Sequence, residues 1–502
     1  MSPQLSAARR PAEEPAYGLD RDLCYRALRT RDARFDGRFY TAVRSTGVFC
    51  RPVCPARTPK LENCLFVPSA AAAQSLGFRP CLRCRPEAAP GAAVSRGSAN
   101  TVARALHLIA DGELGPGDLE AFSERLGLGT RQLRRLFDRH VGASPVQVAQ
   151  TQRLLFAKKL LAETDLSMTQ IAMAAGFGSV RRFNAAFAET YARPPSALRA
   201  AASGKGAQRP EVTLKLPYTP PYDWRAMLEF LGPRAIRGVE QVLDGRYRRA
   251  FALGSAFGSL EVQADPDGPQ LLARIRCTEV AALASVVARL RRLFDLDADS
   301  RSIDALLRRD PALAPRVKAR PGVRVPGAWD SFELAVRAVL GQQVSVAAAT
   351  TFAARIVERY GQELPEAARL PEGTLRLFPA PAVLAEADFA GIGLTRQRAA
   401  TLQALARAVC EEPERLAPGS SLGESVRALA ELPGIGAWTA HYIAMRGLRE
   451  PDAFPAADLG LMRALEVNGV RPSAREIEAR AEAFRPFRAY ATLRLWSQPG
   501  PT

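Results

Sequence analysis

Long apolar runs, cysteines and acidic residues are all scarce in this 502-residue sequence. No stretch of about 18 or more apolar residues occurs, so we expect neither a membrane span nor a membrane partner. The opening residues, MSPQLSAARRP, lack the apolar core of a secretory signal and are typical of a disordered tail, which we place at 1–19. Eight cysteines are too few for a disulfide scaffold in so long a chain, so we expect reduced thiols and a cytoplasmic protein.

The shortage of acidic residues leaves a formal net charge of +18, from 69 Lys and Arg against 51 Asp and Glu. Residues 1–95 contain 15 basic and 8 acidic residues, 96–205 contain 15 and 9, and 206–502 contain 39 and 34. Positive charge attracts polyanions through counterion release, so nucleic acid is the leading partner. Arginines on solvated faces would give the same composition.

The length predicts three or four domains. Two segments rich in small residues, Pro86 to Ser98 and Ala201 to Pro210, are typical of linkers. The pattern between them is helical. Short apolar runs from Val212 to about Arg276 predict strands, and amphipathic helices dominate again beyond about Pro326.

Four of the cysteines form two close pairs, Cys50-x3-Cys54 and Cys81-x2-Cys84, separated by 26 residues. Each pair can place two sulfurs on one ion, and four thiolates satisfy tetrahedral zinc. Such a site is usually structural. Thiolates sharing one divalent ion are nevertheless electron-rich, so one of them could accept a methyl group from an alkylated phosphate. The other cysteines have no such pairing and are expected in the core: Cys24, Cys64, Cys277 and Cys410.

The residues around the pairs favour the reactive interpretation. They resemble the N-terminal domain of Ada over about residues 20–87, through the segments FDGRF (35–39), TGVFCRPVC (46–54) and GFRPCLRC (77–84). The resemblance implies irreversible repair of methylphosphotriesters with Cys50 as the methyl acceptor, a choice that spacing alone does not make. Methylation would remove one negative charge from the site, so affinity for DNA should rise.

A first helix-turn-helix is predicted between residues 118 and 141. A short helix, Leu119 to Leu126, follows Asp118 as N-cap, and Gly127-Leu128-Gly129 forms a turn. Thr130 is expected to cap the next helix, Arg131 to Val141, whose cationic face would suit the major groove. This helix is expected to bury Leu133, Leu136 and Phe137 and to present Arg131, Arg134, Arg135 and Arg139.

The arrangement recurs at Thr169 to Ala175, Gly176 to Gly178, and a helix from Val180 to Tyr191 capped by Ser179. One unit alone would fit an ordinary helical bundle, but two in tandem favour DNA binding. The second resembles the AraC-type DNA-binding domain over 98–200, and implies that methylation of Cys50 makes the protein a transcriptional activator that contacts RNA polymerase. Two alanines, Ala185 and Ala188, stand where that family usually has basic residues. Phe183 and Phe187 should share one face, with Arg181 and Arg182 exposed.

A helix-hairpin-helix is predicted at LPGIG (432–436), between an apolar helix, Val426 to Glu431, and a helix that begins at Ala437. The turn at Gly434 and Gly436 would expose backbone N–H groups that hold a DNA phosphate without reading sequence. Pro-Gly-x-Gly alone is weak evidence, since most such segments are simple turns.

Asp458 follows Gly436 by 22 residues, in a stretch otherwise free of charge. A carboxylate can stabilise an oxocarbenium-like sugar and orient water, while electron-rich rings hold a cationic alkylated base that has left the duplex. A surface aspartate and core aromatics are the plain alternatives. The rings available in this region are Trp438, Tyr442 and Trp496.

From Leu214 to Trp496 the chain resembles the AlkA-type 3-methyladenine DNA glycosylases, through PPYDW (220–224), RLFDL (292–296), LGQQVS (340–345) and LPGIGAWTA (432–440). The resemblance implies that Asp458 is the catalytic aspartate, that Trp438, Tyr442 and Trp496 form the base pocket, and that Gln343 is wedged into the DNA gap. It also implies that the carbonyl oxygens of the hairpin can bind a monovalent cation. Some relatives have leucine at the wedge, and an aspartate often stands where this chain has Ala457. Trp438 replaces the lyase lysine, which predicts a monofunctional hydrolase.

We therefore expect a multidomain α+β protein, mainly α, that repairs alkylated DNA by two reactions, methyl transfer to Cys50 and base excision at Asp458. We also expect it to regulate this repair and to be a nucleoid-associated monomer. No Pro-Cys-His-Arg motif of an alkylguanine methyltransferase occurs. The alternative is a damage-sensing transcription factor whose glycosylase-like half binds lesions without cutting. The predicted domains are a zinc-bound α/β domain (20–87), a linker (88–97), a tandem helix-turn-helix bundle (98–200), a linker (201–210), an AlkA-type N-terminal α+β domain (211–325) and an all-α helix-hairpin-helix glycosylase domain (326–498).

Overall fold

The computed structural model describes residues 17–32, 35–89, 99–115, 117–199, 211–371, 376–419 and 421–497. Most of the predicted tail, most of the first linker and the whole second linker lie outside these residues. The chain divides into two compact units, residues 1–219 with 280–288, and residues 220–279 with 289–502. No helix in the described ranges combines the length and apolarity needed to cross a bilayer.

The first unit combines a small sheet with a helical bundle. Its elements are α1 Arg21–Thr30, β1 Tyr40–Val43, β2 Val48–Cys50, β3 Cys64–Val67, α2 Ala70–Ser75, β4 Arg79–Pro80, α3 Ala99–Ala110, α4 Leu119–Arg125, α5 Thr130–Val141, α6 Pro145–Glu163, α7 Met168–Ala174, α8 Val180–Tyr191 and β5 Glu211–Pro217.

The small sheet has the strand order β3-β1-β2-β4 and brings distant cysteines together. β1 is antiparallel to both β2 and β3, whereas β4 runs parallel to β2 with Phe49 opposite Pro80. The Cys81 N–H donates to the Phe49 carbonyl at 3.0 Å, which continues this pairing by one residue. Phe49, in the middle of β2, is fully buried. The register therefore places Cys50, at the end of β2, beside Cys81.

Two helix-turn-helix units follow, and α5 and α8 repeat the same pattern of burial. Each helix buries two positions four residues apart, Leu133 with Phe137 and Phe183 with Phe187, because this spacing returns to one face of a helix. Leu136 is half-buried.

The predicted N-caps of this region are only partly confirmed. Ser179 caps α8, and its side chain accepts from the Arg182 N–H. The assignment of Thr130 was wrong, since Gly129 is the N-cap of α5 and Thr130 is already helical. The second glycine of the Gly127-Leu128-Gly129 turn occupies the N-cap position, so α5 has no side-chain cap. Asp118 stands at the N-cap of α4 but makes no side-chain capping bond there.

The second unit begins with one helix, continues in four strands and ends in a series of helices. Its elements are α9 Trp224–Leu231, β6 Glu240–Leu243, β7 Arg246–Leu253, β8 Ala256–Ala264, β9 Gln270–Cys277, the end of α10 Leu283–Leu293, α11 Ser300–Leu307, α12 Ala314–Ala319, α13 Ser331–Leu340, α14 Val346–Tyr360, α15 Pro381–Ala385, α16 Arg396–Glu411, α17 Leu422–Ala430, α18 Ala437–Arg446, α19 Leu459–Ala464, α20 Ala474–Ala481 and α21 Arg488–Trp496.

The predicted strands and the later helices are confirmed. β6 to β9 form an antiparallel meander in which each strand pairs with the next. In β9 every second side chain is buried, as period-2 patterning requires. The stretch of short apolar runs also contains the helix α9, which was not predicted. Helices α13, α16 and α18 pack together around a large apolar core.

Three of the four unpaired cysteines lie in the core as predicted, whereas Cys410 is exposed. Its assignment to the core was wrong. Cys410 is the penultimate residue of α16 and lies on the side of this helix that faces water, while Leu402, Leu405 and Ala406 face the core.

Candidate metal centre and candidate active site

The first unit contains a buried cluster of four cysteines. The Sγ atoms of Cys50, Cys54, Cys81 and Cys84 all lie within 4.8 Å of one another, and each residue is 8% exposed or less. Tetrahedral zinc with Zn–S bonds of 2.3 Å needs sulfurs about 3.8 Å apart, so the four donors fit this ion. Soft thiolate donors select zinc over magnesium or calcium.

Arg51 supports the cluster from the turn that joins two of its ligands. Its backbone N–H donates to the Cys84 Sγ at 3.3 Å, and its Nη1 donates to the Cys84 carbonyl at 3.0 Å. Its Nε donates to the Asp36 Oδ1 at 2.8 Å, and a second bond joins the same two side chains. An amide hydrogen bond draws electron density from a thiolate, so Cys84 is a weaker nucleophile than an unbonded sulfur would be.

The arginines predicted to face DNA all lie on solvent-exposed surfaces. In α5 they alternate with the buried face, and in α8 they lie in the first turn. The exposed residues are Arg131, Arg134, Arg135, Arg139, Arg181 and Arg182. Ala185 and Ala188 are exposed on α8 as well, so this helix presents fewer cations than α5 does.

In the second unit a hairpin joins α17 to α18, as predicted. α17 ends at Ala430 and α18 begins at Ala437 with Gly436 as its N-cap. Pro433, Gly434 and Gly436 are exposed, so the backbone N–H groups at the start of α18 are accessible to a phosphate. The Nε2 of Gln342 donates to the Gly434 carbonyl at 2.9 Å and to the Thr439 Oγ1 at 3.1 Å.

Gln343 lies between α13 and α14, beside the residue that supports the hairpin. It is exposed, and its φ of 56° is in the left-handed region, which is rare for a residue with a side chain. The two adjacent glutamines therefore differ in their contacts: Gln342 donates hydrogen bonds to the hairpin, whereas Gln343 faces solvent.

Asp458 is fixed by three hydrogen bonds. It is the N-cap of α19, and its Oδ1 accepts from the Leu461 N–H at 2.9 Å. The indole Nε1 of Trp438 donates to Oδ2 at 2.8 Å, and that of Trp496 donates to Oδ1 at 2.8 Å. The residue is half-buried. Asp458 is the N-cap residue of α19, and at the first position of a helix it remains partly accessible to solvent.

Three aromatic rings lie next to this carboxylate. The Trp438 and Tyr442 rings stack with centroids 5.4 Å apart and an interplanar angle of 12°, because positions i and i+4 share a helix face. The Trp496 ring lies 6.2 Å from the Tyr442 ring at 41°. The structure therefore brings together all the residues predicted for the base pocket.

These residues line a cavity of about 660 Å3, large enough for a purine base. The far wall of the cavity carries two arginines behind Tyr442. Arg446 donates to the Tyr442 Oη at 2.7 Å, and both Arg446 and Arg234 lie over the Phe230 ring. Burial alone would raise the pKa of Tyr442, but the positive charges of Arg446 and Arg234 outweigh it, so the pKa is lowered.

Sequence reasoning did not find Gln342, Arg446 or Arg234. A motif could have drawn attention to Gln342, which lies within LGQQVS. The two arginines had no local signal, because Arg446 bonds to carbonyls of residues 120 and 119 positions away, Pro326 and Gly327.

Four family models match the chain in series. They are the metal binding domain of Ada at residues 23–87, a helix-turn-helix domain at 122–201, the AlkA N-terminal domain at 213–330, and the HhH-GPD superfamily base excision DNA repair protein at 336–486. The fold and the site thus define a base excision DNA repair protein of the helix-hairpin-helix class that is preceded by an Ada-type metal domain and a helix-turn-helix.

The whole chain also has curated relatives. It is 41% identical over 487 residues to the probable bifunctional transcriptional activator/DNA repair enzyme AlkA of Mycobacterium tuberculosis, covering 95% of this chain and 96% of that protein. The chain belongs to this family of bifunctional transcriptional activator/DNA repair enzymes.

Two further relatives match separate halves. DNA-3-methyladenine glycosylase 2 of Escherichia coli is 36% identical over 288 residues, which cover 57% of this chain and 97% of that enzyme. The bifunctional transcriptional activator/DNA repair enzyme Ada of Escherichia coli is 35% identical over 159 residues, which cover 32% of this chain and 43% of that protein.

Proposed function

We propose that the second unit is a monofunctional DNA glycosylase that releases alkylated bases of the 3-methyladenine type and leaves an abasic site. The observation that carries this proposal is Asp458, a carboxylate held by two indoles at an aromatic cavity. Its negative charge is fixed in place before reaction, as electrostatic stabilisation of a cationic sugar requires.

In the proposed reaction the C1′–N bond breaks and its electron pair leaves with the base. A water oxygen forms the new bond to C1′ and loses a proton. An alkylated base that carries a positive charge leaves as a neutral molecule, so it needs little general-acid help. Trp438 stands where bifunctional relatives have a lysine, which supports hydrolysis by water over attack by an amine.

The test is release of methylated purines from alkylated duplex DNA by wild-type protein and by Asp458→Asn. Asparagine keeps the size and the N-cap of α19 but removes the charge, so we expect release to fall about 100-fold or more. The matched control is Asp330→Asn at the N-cap of α13, where the side chain accepts from two N–H groups and does not line the cavity. Equal release by wild type and Asp458→Asn, or none by either, would refute the role. Absence of release with lesion binding retained would favour the damage-sensing alternative.

We propose that the four-cysteine cluster holds one zinc ion and that Cys50 accepts a methyl group from a DNA methylphosphotriester. When bound, zinc keeps the four sulfurs deprotonated. The Cys50 sulfur forms a bond to the methyl carbon, the carbon–oxygen bond of the phosphotriester breaks, and its electron pair stays on the phosphate. The loss of one negative charge from the protein raises affinity for DNA and activates sequence-specific binding through α5 and α8. RNA polymerase is the partner that activation implies.

Intact mass spectrometry after exposure to DNA with methylphosphotriesters tests this assignment. We expect one added methyl group on wild-type protein and none on Cys50→Ser. Cys410→Ser is the matched control, because this thiol is exposed and lies outside the cluster. A methyl group on another cysteine, or on none, contradicts the proposal.

The remaining proposals rest on the resemblance. We propose that Gln343 fills the gap left by the extruded base and that Gly434 and Gly436 hold the DNA backbone. A monovalent cation at the hairpin carbonyls, a monomeric state and the predicted domain boundaries belong to the same proposal.

A further inference from the structure

Two loops that are far apart in the sequence are joined by the side chain of Gln342. One loop, residues 341–345, connects α13 to α14, and the other is the hairpin between α17 and α18. The Gln342 Nε2 donates to the Gly434 carbonyl at 2.9 Å and to the Thr439 Oγ1 at 3.1 Å. A carbonyl oxygen can only accept, so the amide nitrogen must face the hairpin, and both of its N–H bonds point there.

The backbone of Gln342 is held from another helix. The Nη2 of Arg398, in the first turn of α16, donates to the Gln342 carbonyl at 2.6 Å. A hydrogen bond from a charged donor is about twice as strong as one between neutral groups. This carbonyl lies in the same planar peptide unit as the Gln343 N–H, so the bond fixes the orientation of the unit that leads into Gln343.

The conformation of Gln343 depends on such support. Its φ of 56° is in the left-handed region, which is unfavourable for a residue with a side chain. A backbone of this kind persists only where the surrounding contacts fix it. The side-chain and carbonyl contacts of Gln342 provide that support one residue away. They leave the Gln343 side chain exposed.

The hairpin has supports of its own. Leu432 and Ile435 are 5% and 4% exposed and belong to the large apolar core of the second unit. Gly434 packs closely against Thr401 of α16. Core packing therefore sets the shape of the hairpin. Loss of the Gln342 amide should release loop 341–345 and leave the hairpin in place.

We propose that Gln342 is a positioning residue, which holds the gap-filling Gln343 at a set distance from the hairpin that holds the DNA backbone. The inference rests on the proposed base excision and on the proposed roles of Gln343 and the hairpin. In a duplex that has lost a base from the stack, the gap lies at a fixed distance from the neighbouring phosphates. A side chain already held at that distance loses little conformational freedom when it enters the gap.

The test measures how two competitor duplexes inhibit release of methylated purines by the full-length protein. One competitor is intact, and the other contains a tetrahydrofuran analogue of an abasic site. Gln342→Met keeps the length of the side chain and removes both donors. We expect the inhibition constant of the abasic duplex to rise about tenfold, as loss of two hydrogen bonds allows. That of the intact duplex should change about twofold or less, because the hairpin still binds the backbone.

Gln403→Met is the matched control. Gln403 is a half-buried glutamine of α16 whose Nε2 donates to the Ala387 carbonyl at 3.0 Å, so its replacement removes a similar bond away from both loops. Both inhibition constants should stay near those of wild type. Gln343→Ala should lose the preference for the abasic duplex. Adding Gln342→Met to that variant should cause no further loss, since Gln342 acts through Gln343.

A merely structural role for Gln342 predicts equal weakening with both duplexes, and that result would overturn the inference. Wild-type protein without a preference for the abasic duplex would overturn it as well. If Gln342→Met does not fold, Arg398→Met is the second variant, because it removes only the bond to the carbonyl. The same selective weakening is expected, to a smaller extent. Failure of wild-type protein to release methylated purines would refute the proposed function itself, whereas release with additive effects of Gln342→Met and Gln343→Ala would refute only the inference.

Discussion

Gly434 is a position of the hairpin at which the structure requires glycine. Its φ is +80°, and a Cβ added there would lie 2.1 Å from the Thr401 Oγ1. Gly434→Ala should therefore lower the free energy of unfolding by about 1–3 kcal/mol and weaken DNA binding, because both the backbone and Thr401 must shift.

Gly436 provides the matched control for this prediction. Its φ is −83°, and an added Cβ would meet nothing within 4 Å. Thermal unfolding followed by circular dichroism should place Gly436→Ala close to wild type and Gly434→Ala well below it. Equal melting temperatures for the two variants would show that the Thr401 side chain moves away from the added Cβ without any loss of stability.

At the residue scale the sequence identified the chemistry better than its support. The four paired cysteines and Trp438 stand in motifs, whereas the roles of Asp458, Tyr442 and Trp496 came from the family resemblance, and the structure brings each set together. Arg51 and Arg446 have no motif of their own, because their partners depend on the fold. Cys410 and Thr130 were misassigned because local patterns do not show which side of a helix faces water or where a tight turn ends.

The elements of the second unit are joined by a buried network of charges. Glu240 on β6 binds Arg249 on β7 at 3.2 Å and Arg337 on α13 at 2.6 Å, and Glu333 binds Arg249 at 2.8 Å. The network fixes the meander against α13, the helix that precedes Gln342. Burial alone would raise the pKa of Glu240, but Arg337 and Arg249 outweigh it and lower the pKa to about 2.

This shift predicts how stability depends on pH. The folded-state pKa of Glu240 is lower than the unfolded value, so its contribution is complete above about pH 4.5 and is lost as the pH falls toward about 2. Denaturant unfolding between pH 6 and 2.5 should show a smaller acid-dependent loss in Glu240→Gln than in wild type. Glu363→Gln is the control, because that side chain is 59% exposed. Identical slopes for all three proteins would contradict the prediction.

A second buried pair joins the segment after the metal cluster to α6. Lys158 and Glu87 are 2.6 Å apart, and their side chains are 8% and 1% exposed. Lys158→Met should lower the free energy of unfolding by about 3 kcal/mol, because the buried Glu87 carboxylate is then left with Arg85, a partner 3.2 Å away whose side chain is 40% exposed.

The double variant Lys158→Met/Glu87→Leu should recover much of that loss, since it leaves no buried charge. Urea unfolding of the single and double variants measures the recovery. A double variant as unstable as the sum of the two single ones would show that the pair does not act as a unit.

For the whole molecule, the division into two units predicts that the two proposed reactions can be separated. The four cysteines of the metal cluster belong to the first unit, and all the residues that line the cavity belong to the second. Removal of the metal with a strong chelator should abolish methyl transfer to Cys50 and leave base release by the second unit unchanged. Parallel assays on one chelated sample check this, with zinc added back as the control. Loss of base release that zinc restores would show that the two units depend on each other.

At this scale the order of the parts was predictable, because each part carries its own motifs. The basic excess of the first 205 residues was also a sound guide, since it falls on a unit whose α5 and α8 expose six arginines. The buried charge networks were not predictable, since they pair residues that are far apart along the chain.

Cys410 has a practical consequence for studies in solution. Seven of the eight thiols are buried, so a maleimide dye should attach to α16 first and leave the metal cluster intact. A fluorophore at this single point would report on encounters with DNA by fluorescence polarisation, without any engineered cysteine.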